Sequence, residues 1–274
     1  YLSQFIHTAC CRVTYFAAKE SLRGKVTIVT GASSGIGAGI AKYLAKQGCR
    51  LSLTGRKQDN LEAVAKETGL VESDILTTVG DIAKAEDRQN LIDRTMAKYG
   101  RIDVLVNNAG ILQVSPLADV TEEHYDNIFN INLKAHVFLT KLAIPHLIET
   151  KGNIVNISST GSCKPGTGEG IYSMSKVAMD MYTKVLALEL GPKGVRVNSI
   201  NPGFVPTDIF RRSNLDEASG GFEPDEMTKE LTAATPLRRP GTPEQIGQVA
   251  AFLASDMAAF VTGEILFADG GWRL

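Results

Sequence analysis

Residues 25–37 have the sequence KVTIVTGASSGIG, and this stretch decides the fold class. Its first six residues are mostly apolar and β-branched, which predicts a buried strand. The glycines that follow allow a sharp turn, and the segment from there to Gly48 has a helical pattern. Such a turn leaves main-chain N–H groups at the positive end of a helix dipole, which suits a pyrophosphate. The predicted phosphate-binding residues are Gly31, Ser33, Ser34, Gly35, Ile36 and Gly37.

The alternation of strand and helix continues to the end of the chain. The other predicted strands, separated by segments of helical length, are Arg50–Thr54, Ile75–Val79, Val104–Val106, Asn153–Ile157, Val195–Ile200 and Glu264–Ala268. This order favours parallel pairing through right-handed crossovers. We therefore expect one α/β domain: a Rossmann-type, doubly wound parallel sheet of seven strands with helices on both faces. Ligands in such folds bind at the carboxyl ends of the strands.

Composition excludes several function classes. The chain has 274 residues, is 43% hydrophobic and 22% charged, and carries a formal net charge of −1. These values argue against a disordered or fibrous chain and against nucleic acid or a membrane surface as partner. The longest apolar run, Val249–Ala254, is far shorter than the ~20 residues of a membrane span. We expect a small-molecule ligand.

Cysteine usage and the first residues bear on the compartment. The four cysteines include no CxxC pair, so we expect no metal site and a reducing compartment, the cytoplasm. Residues 1–22 differ from the rest, because Tyr1–Lys19 contains no acidic residue. We expect them to form an extension (an arm, a tag or a mitochondrial targeting remnant) before a catalytic domain of residues 23–274. A targeting remnant would make the mitochondrion the alternative compartment.

Tyr172 and Lys176 form a YxxxK pair with a chemical use. A second pair, Tyr15 and Lys19, shows that the spacing alone is weak evidence. Only Tyr172 has a serine, Ser159, thirteen residues before it at the end of a predicted strand. On a helix Tyr172 and Lys176 share a face, and a nearby ammonium is expected to lower the tyrosine pKa. The tyrosine can then exchange a proton with a carbonyl or alcohol oxygen that Ser159 hydrogen-bonds.

Residues 25–274 resemble the compact branch of the short-chain dehydrogenase/reductase family, and they are similar to its 3-oxoacyl carrier-protein, tropinone and carbonyl reductases. The resemblance rests on TGxxxGxG at Thr30–Gly37, NNAG at Asn107–Gly110, the YxxxK pair and DGG at Asp269–Gly271. It implies a nicotinamide cofactor. It also implies a catalytic tetrad, whose members are Asn132, Ser159, Tyr172 and Lys176.

The same resemblance assigns roles to single residues. In the family, the tetrad asparagine holds a water linked to the lysine, and the lysine holds the cofactor ribose. Beyond the glycine turn, the cofactor contacts it implies are Asp81, Asn108, Ala109, Gly110, Tyr172, Lys176, Pro202, Gly203, Val205 and Thr207. Three of these assignments have alternatives. Asp81 and Thr207 could instead cap the helices that follow them, and Asn132 could only satisfy a neighbouring carbonyl.

The end of the second strand predicts which nicotinamide cofactor is used. In NAD-type members of the family an acidic residue accepts hydrogen bonds from the adenosine ribose there. This chain has Gly55 at that position, followed by Arg56 and Lys57. Arg56 can pair with a 2′-phosphate, so we expect NADP(H), unless both basic residues are only solvated. Asp59 is expected to cap the next helix.

The predicted activity is NADPH-dependent, reversible reduction of a carbonyl group. A lid at about residues 204–235 carries apolar side chains, which favours a moderately hydrophobic substrate. A 3-oxoacyl thioester of fatty-acid synthesis is the alternative substrate, and a non-catalytic NADP-binding regulator is the alternative function. Residues 122–146 and 171–190 are apolar on more than one face, which predicts a homo-oligomer, a tetramer or a dimer.

Overall fold

The computed structural model describes residues 20–211, 213 and 224–274. Its centre is a seven-stranded parallel sheet with the strand order β3-β2-β1-β4-β5-β6-β7. The strands are β1 Val26–Thr30, β2 Arg50–Gly55, β3 Ile75–Val79, β4 Val104–Asn107, β5 Asn153–Ile157, β6 Arg196–Pro202 and β7 Ile265–Ala268. The strand order reverses between β1 and β4, which is where ligands bind in doubly wound sheets. The predicted fold class is confirmed.

The connections between the strands are helical. The α-helices are α1 Gly35–Lys46, α2 Gln58–Glu67, α3 Ala85–Tyr99, α4 Glu122–Phe129, α5 Ala135–Thr150, α6 Gly170–Leu190, α7 Asp208–Arg211, α8 Pro224–Ala234 and α9 Pro243–Ala254. A π-helical segment, Asn130–Lys134, joins α4 to α5, and a 3₁₀ turn, Thr160–Ser162, follows β5.

Helices cover the sheet on both faces, and the core is divided accordingly. Adjacent residues of β1 point to opposite faces, as strand geometry requires. Val29 belongs to the apolar cluster under α1 and α9, whereas Ile28 belongs to the cluster under α3, α5 and α6. The strand is therefore buried at every position, and its residues are apolar or threonine rather than alternating with charged ones.

Two local predictions differ from the structure. The strand expected to end at Ile200 continues to Pro202, because Asn201 and Pro202 pair with Phe267 and Ala268 of the edge strand β7. The expectation that Asp59 caps the next helix is wrong. Helix α2 begins at Gln58 with Lys57 at the N-cap, so Asp59 lies inside the first turn. It still complements the positive end of the helix dipole there.

Ser21 and Leu22, at the end of the expected extension, contact the domain. Leu22 is fully buried in the core and its carbonyl accepts the backbone N–H of Lys25, while the Ser21 hydroxyl accepts the backbone N–H of Asp256. Both residues therefore pack with the domain. Residues 1–19, which include the Tyr15–Lys19 pair, lie outside the described residues, as do residues 212 and 214–223 of the expected lid. Among the described helices, none is long and apolar enough to cross a membrane.

Candidate active site

A cavity of about 410 Å³ opens at the carboxyl ends of the strands. Every residue expected to contact a cofactor lines it, and so do three of the four expected tetrad members. These residues are Gly31, Ser33, Ser34, Gly35, Ile36, Gly37, Arg56, Asp81, Asn108, Ala109, Gly110, Ser159, Tyr172, Lys176, Pro202, Gly203, Val205 and Thr207. The tertiary structure thus brings together residues that are spread over most of the sequence.

The glycine turn forms one end of the cavity, and its shape suits a phosphate group. Ser34 is the N-cap of α1, but its side chain makes no capping hydrogen bond, and no acidic residue lies in the first turn. The N–H groups at this helix end are therefore available to an anion. Gly31 has a φ of +63°, and a Cβ at Gly37 would overlap the carbonyl oxygen of Gly31. The residues present fit a pyrophosphate-containing cofactor.

Thr30, to which sequence reasoning gave no separate role, fastens this turn to the loop after β4. Its hydroxyl accepts the backbone N–H groups of Asn108 at 2.9 Å and Ala109 at 3.0 Å. The Asn108 side chain donates in return to the carbonyl oxygen of Thr30 at 2.8 Å. These three hydrogen bonds join the glycine turn to the loop after β4.

Lys176 is 4% exposed, and it lies in the wall of the cavity next to Tyr172. Its Nζ is 5.6 Å from the centre of the Tyr172 ring and donates to the carbonyl oxygen of Ile157 at 3.0 Å. Burial lowers the pKa of Lys176 to about 8, and the charge of Asp180 acts in the opposite direction. A buried ammonium with one protein partner has hydrogens left for a ligand.

Tyr172 behaves differently from the expectation. Burial raises the pKa of its hydroxyl to about 12, a hydrogen bond with Ser159 opposes the rise, and the charge of Glu169 adds to it. Desolvation disfavours the phenolate and the ammonium of Lys176 alike. In the protein without ligand, Tyr172 is therefore a protonated phenol at neutral pH.

Asn132, the fourth expected tetrad member, does not line the cavity. It lies in the π-helical segment, where its Oδ1 accepts the backbone N–H of Ile111 at 2.8 Å and its Nδ2 donates to the Ile111 carbonyl at 2.9 Å. A Cβ at Gly110 would lie 3.3 Å from Asn132 Oδ1 and 3.7 Å from Lys176 Nζ. Asn132 thus does satisfy a neighbouring carbonyl, and it also holds the loop after β4 beside Lys176.

Arg56 and Asp81 are two of the expected cofactor contacts that line the cavity. Arg56 is exposed at the end of β2, and a Cβ at Gly55 would lie 3.0 Å from both Cβ and Oγ of Ser33. The Asp81 carboxylate accepts the backbone N–H of Ala83 at 3.0 Å. Helix α3 begins only at Ala85, so Asp81 caps a turn rather than the helix.

Thr207 directly precedes the short helix α7. Its carbonyl oxygen accepts the backbone N–H of Phe210 at 3.3 Å, as expected at the start of a helix. Its side-chain carbons lie 3.2 and 3.3 Å from where a Cβ at Gly35 would be. Thr207 therefore packs against the glycine turn and begins α7 at the same time.

Two further residues beside the cavity had no expected role in catalysis or cofactor binding. The Ser158 hydroxyl donates to the carbonyl oxygen of Lys176 at 3.1 Å and joins β5 to α6. His136 is buried, and its Nε2 lies 2.6 Å from the carbonyl oxygen of Ala109. Burial lowers the pKa of His136 to about 4. Its position four residues after Asn132, on the same side of a helical path, was a signal that could have identified it.

In the part of the chain that the structure describes, no group of three or more His, Cys, Asp or Glu side chains is placed to hold a metal ion. Cys49 is buried and Cys163 is exposed, and both are free thiols. Cys10 and Cys11 lie outside the described residues.

Comparison with known proteins identifies the family. A family model described as enoyl-(acyl carrier protein) reductase matches residues 31–273. An uncharacterized oxidoreductase of Methylorubrum extorquens is 39% identical over 255 residues, which cover 93% of this chain and all of that protein. The 3-oxoacyl-[acyl-carrier-protein] reductase of Thermotoga maritima is 34% identical, over 91% of this chain and 98% of its own length.

A human relative and a solved structure agree with these matches. Human dehydrogenase/reductase SDR family member 4 is 36% identical, over 92% of this chain and 89% of that protein. The crystal structure of a Brucella melitensis 3-ketoacyl-(acyl-carrier-protein) reductase complexed with NADH aligns with a TM-score of 0.84 at 33% identity, over 93% of this chain and all of the other. This chain is an oxidoreductase that belongs to the short-chain dehydrogenase/reductase family.

Proposed function

We propose that this protein is an NADPH-dependent carbonyl reductase that works reversibly as an alcohol dehydrogenase. The observation that carries the proposal is the meeting of Ser159, Tyr172 and Lys176 in a cavity whose other end is the glycine turn. A proton donor and a cofactor cradle in one cavity are what hydride transfer to a carbonyl group requires.

The protein's own groups have distinct tasks in this reaction. The nicotinamide cofactor, when bound, supplies or accepts the hydride. Ser159 hydrogen-bonds the substrate oxygen as negative charge develops on it, and Tyr172 donates its proton to that oxygen. Because the Tyr172 pKa is about 12 in the free protein, the phenol carries at neutral pH the proton that it donates. Lys176 uses its remaining hydrogens to hold the ribose, and Asn132 keeps the adjoining loop in place for the proton relay.

A positive charge at the end of β2 supports NADPH over NADH. Arg56 lines the cavity with Ser33 and Gly55, and β2 ends in glycine rather than in an acidic residue. A charge-assisted contact of this kind contributes about 1.5–3 kcal/mol, which corresponds to about 10- to 150-fold in kcat/KM. The Brucella relative was crystallised with NADH, so the preference has to be measured for this chain.

The cofactor test compares kcat/KM for NADPH and NADH. Arg56→Leu should remove most of the preference, whereas Arg94→Leu, an exposed arginine on α3, should leave it unchanged. Reversing the cofactor preference with Gly55→Asp requires Ser33→Gly as well, because the new Cβ would crowd the Ser33 side chain. Higher kcat/KM for NADH in the unmodified protein would overturn the assignment of Arg56 and leave the roles of Tyr172 and Lys176 intact.

Apolar residues at the substrate side of the cavity support a moderately hydrophobic substrate. Ile111, Leu112, Ile209 and Phe210 line this part of it. A 3-oxoacyl thioester is the second candidate, supported by the names of the Thermotoga and Brucella relatives. A panel of a steroid ketone, a small diketone, a 3-oxoacyl thioester and an enoyl thioester separates these substrates. NADPH binding without turnover of any of them would instead favour the non-catalytic regulator.

An exposed apolar stripe supports a homo-oligomer, either a tetramer or a dimer. On α6 the exposed residues are Met174, Val177, Met181, Val185 and Leu188, and Tyr125 and Phe138 are exposed on α4 and α5. The α6 residues recur every three or four positions and so lie on one face, the pattern of a helix with a second partner. Light scattering that gave a particle of 29.5 kDa at micromolar concentration would contradict this assembly.

We also propose that the protein works in the cytoplasm. The support is the absence of a predicted disulfide pattern in the sequence, and the mitochondrion is the alternative if residues 1–22 direct import. Fluorescence of the tagged chain, with and without residues 1–19, distinguishes the two compartments.

A further inference from the structure

Asp180, which is half-buried, and Asn201, which is buried, form a polar pair behind the candidate active site. Asn201 lies on β6 and Asp180 on α6, two turns beyond Tyr172 and one turn beyond Lys176. The Asn201 Nδ2 donates to Asp180 Oδ2 at 2.9 Å. The Asn201 Oδ1 accepts the hydroxyl of Ser199 at 2.7 Å, and Ser199 Oγ also lies 3.4 Å from Asp180 Oδ1.

The same Asn201 amide reaches the turn that carries Ser159. Its Nδ2 lies 3.1 Å from the carbonyl oxygen of Ser159 and 2.9 Å from the hydroxyl of Ser162. Within the turn, the backbone N–H of Ser162 donates to the Ser159 carbonyl at 3.1 Å, and that of Gly161 donates to the Ser159 hydroxyl at 3.0 Å. The position of the Ser159 hydroxyl is therefore coupled to the position of its own carbonyl.

We propose that Asp180, acting through Asn201, is a positioning residue that fixes the direction of the Ser159 hydroxyl relative to Tyr172 and Lys176. The pair connects α6, β6 and the turn after β5, which are the elements that carry Lys176, Pro202 and Ser159. The inference rests on the proposed function only in taking Ser159 as the group that holds the substrate oxygen.

The chemistry of the pair explains why these two residue types are needed. The Asp180 carboxylate, the Ser159 carbonyl oxygen and the Ser162 hydroxyl can all accept a hydrogen bond. The Asn201 amide must therefore present its N–H₂ group to them. The Asp180 carboxylate, which accepts only, selects this orientation, because the flipped amide would bring two oxygens together. Burial lowers the pKa of the neighbouring Lys176, and the same carboxylate opposes this lowering and so favours the charged form.

Hydrogen exchange tests the structural half of the proposal without any enzyme assay. The amide of Gly161 reports on the Ser159 hydroxyl, and that of Ser162 reports on the Ser159 carbonyl. Asp180→Asn should make both amides exchange at least about fivefold faster, while residues 183–187 of α6 keep their protection. Unchanged exchange at Gly161 and Ser162 in Asp180→Asn and Asn201→Ala would overturn the proposal.

Kinetic coupling tests the functional half. Asp180→Asn should lower kcat about 10- to 100-fold, with the Kd of NADPH within twofold of the unmodified protein. In a Ser159→Ala background the same substitution should lower kcat less than twofold further, since it acts through Ser159. Glu189→Gln removes a carboxylate from the exposed end of α6 and serves as the control. An equal loss in both backgrounds would mean that the pair does not act through Ser159.

Exchanging Asp180 and Asn201 tests whether the orientation of the amide beside Ser159 matters. The double variant Asp180→Asn with Asn201→Asp keeps one carboxylate and one amide, but it brings a carboxylate oxygen against the Ser159 carbonyl. We expect no recovery of kcat or of protection at Gly161, and recovery of both would overturn the proposal. Failure of the proposed function would look different: the unmodified protein would reduce no carbonyl compound, while the exchange rates would still follow Asp180 and Asn201.

Discussion

The two ends of the cavity are built in different ways. At the glycine turn the cavity wall is mainly backbone: helix N–H groups, glycines without side chains, and the close approach of Gly31 and Gly37. At the catalytic end the wall includes the polar side chains of Ser159, Tyr172 and Lys176, and buried polar side chains lie behind it. There Lys176 bonds to Ile157, and the Asn156 amide contacts Asn107 and Thr183 on neighbouring elements.

This difference predicts opposite sensitivities to substitution. At the backbone-built end an added atom is harmful, because it meets main chain that cannot move far. At the end built from side chains a removed atom is harmful, because it leaves a buried partner without its hydrogen bond. Substitutions at the glycine turn should therefore weaken cofactor binding by overcrowding. Substitutions at the catalytic end should lower kcat by removing single groups.

The largest expected effect separates chemistry from binding at the catalytic end. Tyr172→Phe removes the proton donor and keeps the ring, so we expect kcat to fall at least ~100-fold while the Kd of NADPH stays within twofold. Steady-state kinetics and fluorescence titration measure the two quantities. Tyr15→Phe is the control from the other YxxxK pair and should leave kcat unchanged. Equal losses in the two variants would refute the choice of Tyr172.

The second effect belongs to the glycine turn. In Gly37→Ala the added methyl group meets the Gly31 carbonyl and the Asn108 amide, which should lower the free energy of unfolding by up to about 3 kcal/mol. The Kd of NADPH should rise at least tenfold as the turn is displaced. Gly191→Ala provides the control, because nothing lies within 4 Å of a Cβ there. An unchanged Kd of NADPH in Gly37→Ala would contradict the proposed crowding at the glycine turn.

The smallest expected effect is a pH dependence of stability. It arises at His136, whose Nε2 contacts the carbonyl oxygen of Ala109 between the two ends of the cavity. The pKa of His136 is lowered to about 4, so the folded state keeps the imidazole neutral while the unfolded chain takes up a proton below about 6.5. Stability is therefore lost as the pH falls from 6.5 towards 4, by about 2 kcal/mol at pH 5.

His136→Gln retains a donor for Ala109 but cannot take up this proton. Its unfolding free energy should fall less steeply between pH 6.5 and 4 than that of the unmodified protein, as measured by urea titrations at each pH. His124→Gln on α4 is the matched control and should keep the original slope. Parallel pH curves for His136→Gln and the unmodified protein would contradict the role given to burial.

Sequence reasoning was most accurate where the signal is local. The strand at residues 26–30 and the glycine turn were evident because their patterns span only a few neighbouring residues. Asp59 was assigned to the wrong cap position because helix boundaries depend on backbone angles that several adjacent residues can adopt. The expected lowering of the Tyr172 pKa was wrong for the free protein, because proximity to Lys176 was considered without the burial of both groups.

The sequence by itself determined the order of strands and helices, the position of the glycine turn and the residues able to do acid–base chemistry. Only the tertiary structure decided how those residues are held. Asn201 and Ser159 are 42 residues apart, and His136 and Ala109 are 27 apart. No local periodicity encodes such contacts, since they arise where separate elements pack against each other in the folded domain. The degree of burial, which sets the pKa values of Tyr172, Lys176 and His136, likewise exists only once the whole core has formed.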